Sequence, residues 1–165
     1  MAAVPTCIGF IGPSGAGKST VIARALPILR AEGLRVAVLK HSHHALERPG
    51  SDSARFTAAG ADGVAVVGAD GVWLPGAPPE ADPRGLAARW FGSADLVLVE
   101  GFRAAELPAF RVERPGLAAD PGWVARGPVL GWIAGPARPG AIPIDDPRAI
   151  AAAIRAAAAQ LREIG

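Results

Sequence analysis

"GPSGAGKST", residues 12–20, is the stretch on which the fold turns. It fits G-x-x-x-x-G-K-[ST], with Gly12, Gly17, Lys18 and Ser19 at the fixed positions. Glycines let the backbone turn tightly, so that several N–H groups point inward at an anion. A helix that starts inside the motif adds its free N–H groups and its positive dipole end. Lys18 can bridge terminal phosphates, and the Ser19 hydroxyl can ligate Mg²⁺. The run Gly12, Pro13, Ser14, Gly15, Ala16, Gly17, Lys18, Ser19 and Thr20 is therefore the candidate nucleotide-binding loop.

The flanks have the form the motif needs. "VPTCIGFI", 4–11, is a short apolar run that stops at Gly12 and reads as a buried strand. A helix is expected from Lys18 to Glu32, with Ile22, Ala25, Leu26 and Leu29 on one face and Gly33 as its stop. Pro27 lies inside it and is expected to kink or divide it.

Further out, "RVAVL" (35–39), "DLVLVEGF" (95–102) and "VLGWIA" (129–134) read as strands, "AFRVE" and "AIPI" as weaker ones. "SARFTAAGA" and "LAARWF" read as short helices, and residues 75–84 as a Pro-rich loop. Arg114 to Gly127 reads as a mobile loop. The last helix is well signalled: Asp146 as cap, Pro147 at its first position, and Ile150, Ile154, Leu161 and Ile164 on one face. Strands alternating with helices predict an α/β fold with a mainly parallel sheet flanked by helices. "GVAVVGADGVWL" adds a β-hairpin insertion around 63–74. "GVWL" and the four tryptophans fit core or interface, and core is the reading preferred.

At 165 residues the chain reads as a single nucleotide-binding domain, residues 1–165. A net charge of +2 with scattered basic residues offers no stripe for nucleic acid or membrane. No apolar run reaches the roughly 18 residues of a membrane span, and no charged side chain precedes Lys18 as a secretory signal would require. A cytoplasmic protein is expected. The single cysteine, Cys7, reads as a buried filler.

A phosphate-loop protein also needs an acid near Mg²⁺, at the end of a neighbouring strand. Glu100 follows four apolar residues and precedes Gly101, and is the candidate. Loops after parallel strands gather at one edge, where ligands bind. "KHSHHALERPGSDS", 40–53, leaves the second strand at that edge and holds all three histidines of the chain. Lys40, beside them, is the only lysine apart from Lys18; every other basic residue is arginine. A compact cation at such an edge can meet phosphate. His41, His43 or His44 can position or deprotonate an attacking group, since imidazole titrates near neutral pH, or bind an anion. Their spacing matches no standard zinc site. Asp52 can ligate the metal or simply cap the next helix.

In their order along the chain, "GPSGAGKST", "GLRVAVLKHSHH", "PGSDSARFTAAGA" and "LVLVEGFR" resemble the molybdopterin-guanine dinucleotide biosynthesis adaptor protein B family, MobB. "VLGWIA" followed by "IPIDD" extends the likeness toward the last helix. Ser51 departs from a lysine common there, "ALER" from an acidic stretch, and Arg103 from a lysine. The resemblance implies a P-loop NTPase fold and a GTP-binding, Mg²⁺-dependent homodimer with weak GTPase activity. It implies a partner, the guanylyltransferase that joins GMP to molybdopterin. It also implies that Lys18 and Ser19 hold phosphate and Mg²⁺, that Glu100 is the strand-end acid, and that Asp52 and the histidine loop line the nucleotide or molybdopterin crevice.

From the residues alone, two other readings stay open. A small-molecule kinase would use the same loop, with Asp52 or a histidine as base and an arginine lid drawn from Arg84 and Arg89, or from Arg111, Arg114 and Arg126. A partner-binding protein would keep a degenerate nucleotide site. The guanine-reading motif [NT]-K-x-D does not occur, so guanine rests on the resemblance.

Overall fold

A computed structural model of the chain describes residues 4–41, 59, 66–68, 71–73, 82–102, 104–117 and 125–164. The chain divides into two compact units, Met1–His41 with Asp82–Gly165, and Ser42–Ala81. In the larger unit a six-stranded sheet runs in the order β2-β5-β1-β6-β7-β8, and every pair in it is parallel. Its strands are β1 (Thr6–Ile11), β2 (Val36–Lys40), β5 (Leu96–Glu100), β6 (Ala109–Val112), β7 (Val129–Ala134) and β8 (Ile142–Pro143). The helices are α1 (Lys18–Ala31), α2 (Pro83–Phe91) and α3 (Pro147–Ile164). The smaller unit contains the expected hairpin: β3 (Val66–Gly68) and β4 (Gly71–Trp73) pair antiparallel, Val66 opposite Trp73. The helix expected over "SARFTAAGA" lies outside the described residues.

The central strands β1 and β5 are buried on both faces, as their unbroken apolar runs require. Ile8, Phe10, Leu96, Leu98, Phe110 and Val112 point to the α1 and α3 side, where they meet Val21, Ile22, Ala25, Leu29, Ile150 and Ile154. Cys7, Val97 and Val99 alternate to the other face and pack with Ala87 of α2 and Leu107. Cys7 is the filler its setting suggests: burial pushes its thiol up to about 11, so it stays protonated and inert.

Element ends shift by a residue or two in several places, and two departures have a physical reason. Helix α1 runs through Pro27 undivided. Pro27 and Ala23, whose carbonyl loses its usual donor there, are both exposed, so water can take that bond. Helix α2 starts at Pro83, inside the stretch expected to be loop. Asp82 caps it by accepting from the Arg84 and Gly85 N–H groups, both at 3.1 Å, and Pro83 fits its first position. Strand β2 ends on Lys40 itself, one residue later than expected. Helix α3 has the expected cap: Asp146 Oδ1 accepts from Arg148 and Ala149 N–H, both at 3.0 Å. The two-residue β8 carries Pro143, which an edge strand tolerates. Among the described residues no helix is long and apolar enough to cross a membrane.

Candidate functional site

The loop between β1 and α1 leaves the centre of the sheet at its carboxyl edge. Gly12 turns the chain there with φ 148°, and an added Cβ would stand 2.3 Å from the Val112 carbonyl oxygen of β6. No side chain fits that approach. Gly17 precedes α1 without a capping side chain, and the first turn of the helix has no acidic residue. The positive end of α1 is therefore left to whatever anion the loop cradles. Lys18 folds back over the loop, donating from Nζ to the carbonyls of Gly12 (2.9 Å) and Pro13 (2.8 Å). Burial holds its ammonium below the ordinary lysine range; Glu100 works the other way and Lys40 adds to the lowering.

Ser19, in the first turn of α1, meets Glu100 at the end of β5. Its Oγ lies 2.8 Å from both carboxylate oxygens. Among the described residues Glu100 is the charged one buried in the core, 9 % exposed. Sheet register explains the meeting. Glu100 stands opposite Phe10 of β1 on one side and Lys40 of β2 on the other. In-register neighbours of parallel strands point to the same face, here the face that α1 covers. Lys40 Nζ accordingly donates to Ser19 Oγ at 3.1 Å and lies 3.5 Å from Glu100 Oε1. The sequence-predicted Lys18, Ser19 and Glu100 thus come together, and Lys40 joins them.

A hydroxyl and a carboxylate are hard oxygen donors. Mg²⁺ takes one or two such protein ligands and completes its shell with phosphate and water, so Ser19 and Glu100 fit it. His43, His44 and Asp52 lie outside the described residues. His41 does not: its N–H donates to the Glu100 carbonyl at 2.9 Å, and its ring lies 5.1 Å from that of Phe102. The chain turns back sharply beneath it. Gly101 has φ 91°, with an added Cβ only 3.0 Å from His41 Cβ. Phe102 has φ 52°, a left-handed conformation that costs about 1–3 kcal/mol in a non-glycine residue and gathers at functional sites. The sequence pointed to V-E-G-F as a motif but carried no sign that Phe102 would be the platform for His41.

A second polar group sits toward the carboxyl ends of β6 and β7; the sequence offered Arg111 as a lid candidate but gave no sign of this grouping. Trp132 stands opposite Arg111 in register. Two guanidinium groups lie over its ring, Arg138 at 3.4 Å and Arg111 at 4.8 Å from the centroid. Glu113 accepts from Arg138 Nε at 2.7 Å and lies 3.7 Å from Arg111 Nε. An open cavity of about 350 Å³ borders this group, lined by Glu113, Arg114, Pro115, Gly135 and Arg138 among others. Reading the tryptophans as core is corrected for two of the four: Trp132 is half-buried with Arg138 and Arg111 near its ring, and Trp90 is 49 % exposed with Arg89 over its ring at 5.1 Å; Trp123 and the side chain of Trp73 lie outside the described residues. Trp is large and amphipathic, and arginine is a good partner for its face. The remaining candidate lid arginine whose contacts are described, Arg84, reaches the Glu106 carbonyl at 3.4 Å.

A family profile described as "Molybdopterin guanine dinucleotide synthesis protein B", MobB, matches residues 7–132, from β1 through Trp132. The chain belongs to the MobB family. Among similar proteins, the molybdopterin-guanine dinucleotide biosynthesis adapter protein of Escherichia coli is 35% identical over 120 residues, 69% of each chain. Its Haemophilus influenzae namesake is 34% identical over 111 residues, 65% of this chain and 62% of the relative. The chain thus aligns with roughly two-thirds of each relative's length. A crystal structure of molybdopterin-guanine biosynthesis protein B superposes with a TM-score of 0.69 at 27% identity, covering 92% of this chain and 99% of that one. MobB of Bacillus subtilis gives 0.59 at 26% identity, covering 88% and 93%. The parallel sheet and the phosphate loop at its centre are therefore those of an α/β P-loop NTPase, as the motif implied.

Proposed function

We propose that this MobB family member is a GTP-binding adapter of molybdenum cofactor biosynthesis. It assists the guanylyltransferase that joins GMP to molybdopterin, acts as a homodimer in the cytoplasm, and turns GTP over slowly. One observation carries the nucleotide part. The Ser19 hydroxyl, in the first turn of an uncapped helix, lies 2.8 Å from the carboxylate of a strand-end acid across the sheet. That is the arrangement a phosphate–metal pair needs. The biosynthetic role is supported by the names of the relatives, which are adapter proteins of molybdopterin-guanine dinucleotide biosynthesis.

In this reading the loop N–H groups and the α1 N-terminus bind the phosphates. Lys18 leaves the Gly12 and Pro13 carbonyls to reach the terminal phosphate. Ser19 and Glu100 hold Mg²⁺, which supplies positive charge to the phosphate oxygens when bound. The cavity by Glu113 and Arg138 lies at the end of β6, the strand whose Val112 carbonyl backs Gly12, and is a candidate space for the nucleoside. In the same reading His41, which lies against Phe102, orients a ligand, and Asp52, His43 and His44 are candidates for the same role.

The test is calorimetric titration of GTP and ATP into the purified chain with Mg²⁺, followed by phosphate-release assays and sedimentation. GTP preference, slow release, a dimeric mass and faster dinucleotide synthesis when the chain is added to the guanylyltransferase are the expected results. ATP preference with rapid turnover on adding a metabolite acceptor would overturn the adapter reading in favour of a kinase. Binding of neither nucleotide, with stimulation intact, would leave an adapter that works through its partner alone.

A further inference from the structure

Lys40 reaches the two groups that fit a divalent cation. Its Nζ donates to Ser19 Oγ at 3.1 Å and stands 3.5 Å from Glu100 Oε1. Its approach is set by the sheet, since Lys40 and Glu100 are register partners on adjacent parallel strands. Its side chain is nonetheless 56 % exposed while that of Glu100 is 11 % exposed. The carboxylate is therefore held and the ammonium is free to swing on a four-carbon stem into water.

A carboxylate beside a hydroxyl offers a limited set of lone pairs. An ammonium and a divalent ion drawn to the same Ser19 oxygen and Glu100 Oε1 would stand a few ångströms apart, and two positive charges at that distance repel. Arginine would do this job poorly: its planar fork is bulkier and less readily displaced than a point charge on a flexible chain. This gives a physical reason for lysine at position 40 in a chain whose other basic residues, Lys18 apart, are arginine.

We propose that Lys40 is a positioning residue that competes with a divalent cation for Ser19 and Glu100. Its ammonium keeps the hydroxyl and the carboxylate aligned, yields them to the ion, and turns toward the terminal phosphate. Lys40 thereby weakens the site's affinity for the ion and lets nucleotide bind with less help from it. The role deepens, and rests on, the reading of this edge as a nucleotide site.

The experiment begins with Mn²⁺ alone as probe, titrated into the nucleotide-free chain and followed by the EPR signal of free Mn²⁺. Lys40→Met is expected to bind Mn²⁺ roughly three- to tenfold more tightly than the unaltered chain. Lys40→Arg, which keeps the charge in a group less readily displaced, is expected to bind Mn²⁺ no more tightly than the unaltered chain. Adding Glu100→Gln to Lys40→Met is expected to abolish the gain. Thermal unfolding followed by circular dichroism checks that each variant folds, and Lys40→Gln replaces the methionine variant if that one does not. Equal Mn²⁺ affinity with and without Lys40, or a gain that survives Glu100→Gln, overturns the proposal. Calorimetry of GTP with Mg²⁺ or EDTA then reads the second consequence, a several-fold larger loss of affinity in EDTA for Lys40→Met than for the unaltered chain. An unaltered chain that binds no GTP would sink the nucleotide reading, while the Mn²⁺ comparison would still decide what Lys40 does.

Discussion

The carboxyl edge of the sheet carries two acid–base groups of similar make-up and opposite character. At one, Glu100 ends β5 and meets Ser19 and Lys40. At the other, Glu113 follows β6 and meets Arg138 and Arg111 around the Trp132 ring. The first joins its acid to a rotatable hydroxyl and an ammonium on an exposed stem, partners that can be exchanged for a ligand. The second joins its acid to guanidinium planes stacked on an aromatic face, where losing one contact disturbs several others. Exchangeable partners suit a binding site; interlocked partners suit a wall beside it. The choice between lysine and arginine separates the two.

If that distinction holds, substitutions at the two groups should fail in different ways. The largest effect is expected at Lys18→Ala. Loss of a charge-assisted contact to phosphate should weaken GTP binding by about 100-fold in calorimetry, while the urea unfolding midpoint barely moves. A comparable loss of stability would mean that the lysine bonds to Gly12 and Pro13 serve the fold. Next comes Trp132→Ala, which removes the platform under two guanidinium groups. It should cost about 2 kcal/mol in urea unfolding, below the figure for a fully buried aromatic because the ring is half-buried. GTP affinity changing in step with stability would erase the contrast. Arg138→Lys is the smallest and the most pointed. An ammonium cannot both stack on Trp132 and meet Glu113 as the guanidinium does, so about 1 kcal/mol of stability should go. Full tolerance would show that charge alone matters at this group as well.

Much of the fold was legible because local signals agreed. The apolar runs of β1, β5 and β7, the phosphate-loop motif and the Asp146–Pro147 start of α3 each pointed to an element that formed. The missed start of α2 was legible too: Asp82–Pro83 is a cap followed by a favoured first residue, hidden in Pro-rich surroundings. The undivided α1 was not legible, since whether Pro27 breaks a helix depends on whether the freed carbonyl faces water or core. Two tryptophans misled for a related reason. Hydrophobicity suggested core, but Trp132 meets Arg111 and Arg138 from other positions in the chain, and Trp90 stays 49 % exposed beside its own neighbour Arg89.

The candidate site divides along the same line. Residues 12–20 specify by themselves a tight turn, an uncapped helix start, a lysine and a hydroxyl, because phosphate binding by backbone N–H groups is a property of one continuous segment. That Glu100 is an acid at a strand end was also readable from its own neighbours. That Lys40, Glu100 and Ser19 meet was decided only by tertiary structure. It depends on β5 lying between β1 and β2, and on a register that sets Phe10, Glu100 and Lys40 side by side under the first turn of α1. Strand order and register are set by how both faces of the sheet bury their apolar residues, which no single stretch of sequence contains.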